Sequence, residues 1–420
     1  MTEVSPRITR LLRDLSGRGA EVVDEFWREV TAVGTPLVEA VRDGSALVTF
    51  VWRGRAAHTA TGWGVEVDLQ RIAGTDLWHG SRRLPTDLRT LYYLRHRDDG
   101  IPTSPRGVGA THVDALNRRP FRFPADRGDP NDRAYWASLL ELPSAPGDPW
   151  SSPRPGVPRG TVLTANLRTA ALRGRRRIGV YRPAGAAKGL GLLVVFDGYL
   201  SRTVLRIPTT LDNLIAAGRI PPTMALFVHA PSGGRRLREL RPGNAIRRFV
   251  TRELLPWAYR RWPLSADPRR TVAAGSSLGG LTAAYLGLVA PEVFGGVIAQ
   301  SGSFWWPASP HAEPQWLIRA YAERPGRPVR FYLDVGDRET SSPRGDGLDQ
   351  VTVNRRFRDV LLERGYEVTY VEYAGAHDYV GWRRTFADGL VAVLGTEPPA
   401  PPDSTSRGNP PLKGGTTALS

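Results

Sequence analysis

The runs "GLLVVFDG", "TMALFVHA", "TVAAGSS", "GGVIAQSG" and "VRFYLDVG" constrain this 420-residue chain more than anything else in it. Each has the length of a strand and is apolar at consecutive positions, so both of its faces need covering. Successive side chains of a strand point to opposite sides, and a sheet hides them all when helices pack on each side. The intervening segments supply those helices, as in "NAIRRFVTRELLPWAYRRW" and "NRRFRDVLLERG". Strand and helix alternate from about residue 161 to 395, which predicts a mostly parallel sheet flanked by helices.

The first 142 residues read differently. From about residue 20 to 125, short β-like runs such as "ALVTFVWRG" and "LRTLYYLRH" alternate with turn clusters rich in Gly, Asp and Pro, the pattern of an antiparallel sandwich. Between the two halves lies "PSAPGDPWSSPRPGVPRG", where proline denies hydrogen bonds to any sheet. The expected organisation is an N-terminal all-β sandwich domain at 1–142, a Pro-rich linker at 143–160, an α/β domain at 161–395 and a disordered tail at 396–420. The tail carries too little apolar surface to offset its ordering entropy.

Composition excludes several function classes. No apolar run approaches the ~18 to 20 residues of a membrane helix, and the first residues lack the apolar core of a signal peptide. The expectation is a soluble, cytoplasmic protein. With no cysteine, thiolate nucleophiles and thiolate metal sites are excluded. The balance of 57 basic to 41 acidic residues gives a net charge of +16, yet all but Lys188 and Lys413 of the basic residues are arginine. The densest cluster, "RGRRR" at Arg173 to Arg177, lacks the interleaved aromatics that stack bases. It reads as a solvated face, so neither nucleic acid nor a membrane is expected as a partner, and an anionic small molecule is.

Chemistry concentrates at "TVAAGSSLGGLTAAYLG". Gly275 to Gly279 fits G-x-S-x-G, in which a serine sits on a strained turn between strand and helix and the glycines let neighbouring backbone pass close by. Ser277 is the candidate nucleophile. At the start of a helix its developing oxyanion lies near the positive end of the macrodipole, with the amide of Leu278 free to donate. A second donor is expected from the loop after the third strand of this half, "VVFDGYLS", where Gly198 permits a turn that aims the amide of Tyr199 inward.

A serine nucleophile needs a base of near-neutral pKa, hence histidine. In the α/β-hydrolase order the base follows the acid, which follows the serine. That order leaves two of the seven histidines. His311 has no strand between it and the serine segment to deliver an acid, whereas His377 ends "EVTYVEYAGAHD" just past the last strand candidate. His377 is the predicted base. The acid should follow the preceding strand, in "VRFYLDVGDRETSS". Asp334 falls within that strand and reads as structural. Asp337 and Glu339 are both on the loop, and the residues alone leave the choice between them open.

Together these segments resemble the enterochelin (ferric enterobactin) esterases, in the esterase-D branch of the α/β-hydrolases. The resemblance runs from about Trp52 to Leu394. It is carried by "DLWHGSRRLPTDLRTLYYL" and "DPNDRAYWASLLELPSAP" in the first half, and by "AAGSSLGGLTAAYLGLVAPEVFGGVIAQSGSFWW", "DVGDRE" and "AGAHDYVGWRRTFADGL" in the second. It implies an α/β-hydrolase catalytic domain preceded by the sandwich, and Glu339 as the acid, three residues after the glycine of a G-x-R-E segment. It also implies hydrolysis of the trilactone esters of a catecholate siderophore, often as its iron complex, with no cofactor. Arg235, Arg236 and Arg238 are then expected to complement the anionic substrate, and Trp305, Trp306 and Trp382 to pack on its catechol rings. Two rival readings share the same residues: an esterase or acyltransferase for feruloyl, acetyl or similar esters, and a ferric-siderophore binding protein that does not cleave.

Overall fold

In the computed structural model, the described residues are 4–19, 21–97, 111–185, 188–230, 234–307 and 313–395. His311 and the tail at 396–420 lie outside them.

Two helices open the chain, α1 (Pro6–Arg18) and α2 (Glu21–Val33). The Ser5 hydroxyl accepts from the amides of Arg7 and Ile8, and Pro6 occupies the first turn, where an amide has no intrahelical acceptor to lose. Nine strands follow: β1 (Leu37–Arg42), β2 (Ser45–Arg53), β3 (His58–Trp63), β4 (Asp68–Arg71), β5 (Leu77–Pro85), β6 (Arg89–Arg97), β7 (Thr111–His112), β8 (Pro120–Phe123) and β9 (Tyr135–Glu141). They form one antiparallel sheet in the order β1-β2-β5-β4-β3-β6-β9-β8, with β7 on β6. The sheet folds over on itself, so that Phe50 of β2 meets Tyr92 of β6 edge to face at 5.0 Å, with Val48, Leu84 and Leu140 around them.

The opposite face of β2 corrects the all-β expectation. Val51, with Leu37 and Leu77 beside it, packs under Ile8, Leu11, Phe26 and Val30 of the two helices. The physical reason lies in the sequence: "ALVTFV" is buried at all six positions, and an antiparallel strand apolar on both faces needs a second cover. Helices at 6–18 and 21–33 provide it.

The second sheet has eight strands: β10 (Thr161–Thr169), β11 (Gly174–Arg182), β12 (Gly191–Val195), β13 (Thr223–Val228), β14 (Thr271–Ser276), β15 (Gly296–Gln300), β16 (Arg330–Gly336) and β17 (Glu367–Tyr373). Their order is β10-β11-β13-β12-β14-β15-β16-β17, antiparallel from β10 to β13 and parallel from β13 to β17. The helices are α3 (Gly198–Thr203), α4 (Ile207–Ala216), α5 (Gly234–Leu240), α6 (Asn244–Arg248), α7 (Leu255–Tyr259), α8 (Leu278–Val289), α9 (Trp316–Ala322), α10 (Gln350–Glu363) and α11 (Tyr379–Leu394). Central strands are buried throughout because their side chains alternate between two cores. Leu192 and Val194 point into one with Leu281 and Phe357, while Leu193 and Val195 join Leu211 and Phe386 in the other. The sheet is of the α/β-hydrolase kind.

The proline-rich stretch is tied down rather than loose. Asn213 of α4 donates to the carbonyls of Trp150 (2.7 Å) and Ser152 (2.9 Å), and Arg383 of α11 donates to Asp148 at 3.0 Å.

Candidate active site

Ser277 stands between the end of β14 and the start of α8 with φ 57° and ψ −121°, a conformation that costs an L-residue energy and persists only when its surroundings enforce it. The enforcement is visible. Its amide donates to the Gln300 carbonyl at 2.8 Å and its carbonyl accepts from the Ser303 amide at 3.1 Å. The strand and helix also close so tightly that a Cβ on Gly275 would lie 2.5 Å from the carbonyl carbon of Gly279. A larger residue there would push the helix off the strand and relax the turn. Leu278 is the first residue of α8, so its amide has no intrahelical acceptor.

His377 lies on the loop between β17 and α11. Its Nδ1 is 2.5 Å from Oε2 of Glu339, on the loop after β16. The other oxygen of that buried carboxylate accepts from the Ser301 hydroxyl at 2.6 Å and the Gly336 amide at 2.9 Å. Ser301 in turn accepts from the Trp382 indole at 2.8 Å, and Trp382 meets the His377 ring edge to face at 4.9 Å. A carboxylate so anchored fixes which imidazole nitrogen faces it and directs Nε2 away. Of the two carboxylates the sequence left open, Glu339 contacts His377, while Asp337 accepts from the Gly375 amide at 3.2 Å.

Ser277 and His377 line one cavity of about 460 Å³, together with Tyr199, Trp382 and Arg236. Among the described residues the Ser277 hydroxyl bonds the Ser303 hydroxyl, at 3.3 Å, and forms no bond to His377. Serine–histidine hydrogen bonds commonly tighten when substrate arrives. Tyr199 is placed in α3, its own hydroxyl donating to the Ala125 carbonyl at 2.7 Å.

The other expected substrate contacts sit elsewhere. Trp305 and Trp306 pack against the core beside α8, and the Trp305 indole donates to Gln350 of α10 at 2.8 Å. They do not line the cavity, because the segment after β15 turns toward α10 rather than toward the first sheet. Arg235 pairs with Glu239 at 3.1 Å and lines a neighbouring cavity, and Arg238 is exposed outside both. Arg236 alone of the three reaches the cavity, and its guanidinium is held by two 2.6 Å bonds to Asp197.

What sequence reasoning missed is the first sheet's share. Trp63, Asp126, Asp129, Asp132 and Tyr135 form the opposite wall. The same sheet also grips the histidine loop. The Trp63 indole donates to the His377 carbonyl at 3.1 Å, and Arg338 donates to the Gly64 carbonyl at 3.3 Å. Asp378, buried next to His377, accepts from the Thr90 hydroxyl (2.6 Å) and the Leu91 amide (3.0 Å) of β6, while its other oxygen caps α11. Burial pushes its carboxyl up to about 6 against those four donors. A second buried carboxyl, Asp334, accepts from Gln300 at 3.1 Å behind the serine turn and is pushed up to about 7 by burial. The asparagine-and-aspartate-rich run from Asp126 to Asp132 was the available signal for the wall, as a polar loop too rich in carboxylates for a plain turn.

Comparison with known proteins places this architecture among relatives. Residues 169–393 match the profile of the Esterase family. The chain is 31% identical to the iron(III) enterobactin esterase of Dickeya dadantii (strain 3937), over 90% of this chain and 94% of that one. It is 28% identical to the iron(III) salmochelin esterase of Escherichia coli O6:H1, over 92% and 98%. The solved enterobactin esterase of Shigella flexneri, determined in the presence of enterobactin, superposes with a TM-score of 0.71 at 26% identity and covers 90% of this chain and 98% of its own.

Proposed function

Because this chain belongs to the Esterase family, we propose that it hydrolyses the trilactone esters of an enterobactin-like catecholate siderophore, releasing iron in the cytoplasm. The observation that carries the mechanism is the Glu339 contact to His377 Nδ1 in the cavity that the strained Ser277 also lines. Turning the serine side chain from Ser303 toward Nε2 lets His377 take its proton as the hydroxyl attacks a lactone carbonyl. Negative charge then develops on the carbonyl oxygen, where the amides of Leu278 and Tyr199 donate. Glu339 stabilises the imidazolium. Collapse of the tetrahedral intermediate returns the proton to the leaving serine oxygen of the siderophore and leaves an acyl-enzyme. Water, deprotonated by His377, cleaves it. Trp382, buried beside the His377 ring, contributes to the cavity wall that a catechol arm would meet.

The proposed division of labour follows the chain: residues 1–142 build one wall, 143–160 join the halves, and 161–395 carry the reacting groups. The test is product mass after incubation with iron-loaded and iron-free trilactone siderophore. Wild type should give linear and then monomeric products, and Ser277→Ala should give at least about four orders of magnitude less turnover while still binding. Undiminished turnover in that variant sinks the mechanism, and turnover of simple aryl esters alone sinks the substrate.

A further inference from the structure

The cavity at Ser277 has the wrong charge for the substrate just proposed. Four carboxylates line it, Asp126, Asp129, Asp132 and Asp197, against the single guanidinium of Arg236. A second cavity of about 590 Å³ adjoins it, sharing Asp129 and Ala230, and there the balance reverses. Arg175, Arg176, Arg177 and Arg235 converge on it with Asp129 as the one carboxylate in its lining. These include the arginine cluster of β11 that reads in the sequence as a solvated face.

Two further carboxylates stand behind the arginines and offset part of their charge, leaving four guanidiniums against three carboxylates. Glu239 is shared between Arg176 and Arg235, and Asp126 pairs with Arg177. Arg175 is exposed and in no ion pair among the described residues. Two buried side chains in the lining also hold unsatisfied polar atoms. Arg176, 3% exposed, has no acceptor for its Nε, and His229, 5% exposed, has no hydrogen-bond partner at either ring nitrogen. Asp126 stands 3.6 Å from the His229 Nδ1, beyond hydrogen-bond reach. Burial, with Arg177 beside it, pushes the His229 imidazole down to about 4, so at neutral pH it is uncharged and offers one N–H. Leaving such donors buried and unpaired is costly, and a bound acceptor would recover that cost.

We infer that this second cavity is an anion subsite, which takes a negatively charged arm of the substrate, a catecholate or a carboxylate, while the ester lies at Ser277. The inference rests on the siderophore reading for the identity of that anion. The two cavities share Asp129 and Ala230 in their walls, so a branched substrate that reaches past these residues can occupy both. Its charge is then met in the second while its ester is met in the first.

The experiment uses the full chain and 2,3-dihydroxybenzoylserine as probe, with calorimetry for affinity and the His229 ring resonances for location. Binding should shift those resonances and raise the imidazole's pKa, since an anion favours the charged ring. Arg175→Ala with Arg235→Ala, both exposed side chains, should weaken the probe about tenfold or more, and the difference should shrink as salt is added. A carboxamide of the probe and an analogue without the hydroxyls identify which anionic group is held, by which of them loses affinity. Equal affinity in the double variant, or His229 resonances unmoved at saturation, overturns the assignment. Probe binding at His229 in a protein that fails to open the trilactone would leave the subsite standing and remove the substrate instead.

Discussion

The two sheets solve the same burial problem in opposite ways. The second is parallel through its centre and buried on both faces, so its parallel strands deliver their carboxyl ends to one rim, where Ser277, Glu339 and His377 lie on the loops after β14, β16 and β17. The first is antiparallel, folded over on itself and covered on one side by α1 and α2, and its loops emerge at both ends. The proposed reacting groups therefore belong to the second sheet. The first contributes position: one wall of the cavity, and a grip on the histidine loop through Trp63, Thr90 and Leu91. A parallel sheet concentrates chemistry, and an antiparallel one beside it can aim that chemistry.

The sharpest way to break this division is at the acid. Glu339→Gln should lower kcat by about three to four orders of magnitude, as loss of the imidazole's orienting carboxylate does in other triads. Asp337→Asn should cost less than about tenfold. The reverse ranking, read from kcat on a common ester, would move the orienting role to the Gly375 turn. Next in size is the contact between the sheets. Thr90→Val removes the hydroxyl that the buried Asp378 accepts from, without touching any reacting group. The expectation is a kcat lower by about tenfold and a stability loss of about 1–3 kcal/mol. A rise in KM with kcat intact would mean that the first sheet shapes the cavity but does not place the histidine.

The smallest effect tests the second sheet's interior. The Asp334 carboxyl, with a folded pKa of about 7, lies above the ordinary value near 4 of the unfolded chain. Between those values the folded state binds the extra proton, so stability falls as pH rises through that window and levels off above it. A pKa that differs by one between the folded and unfolded chain is worth about 1.4 kcal/mol. Asp334→Asn, uncharged at every pH, should flatten that decline in Tm between about pH 4 and 7. An unchanged slope would show that Asp334 titrates normally in the folded protein.

How much of this was legible in the sequence depends on the range of the interaction. The serine turn was readable because its sequence signature lies within Gly275 to Gly280. The strand candidates of the second half were readable because both-face burial writes itself into consecutive residues. His377 followed from chain order, which narrowed the acid to Asp337 or Glu339. The choice between Glu339 and Asp337 needed either resemblance or the folded structure, since two carboxylates two residues apart carry the same local signal. The first sheet's grip was invisible: Trp63 and His377 are 314 residues apart, and nothing in "TGWG" says which loop its indole will meet. Trp305, Trp306 and Arg238 lie outside both cavities for a related reason. "FWW" and "GRRLR" advertise recognition chemistry, but whether they face substrate or a neighbouring helix is decided by the turn of the chain after β15 and at α5.

A wall that stands on one sheet while the proposed reacting groups stand on another separates two evolutionary tasks. Substitutions between Pro124 and Tyr135 can reshape what the cavity admits without disturbing the serine turn or the imidazole. Descendants of such a chain can change what they admit while inheriting their chemistry unaltered.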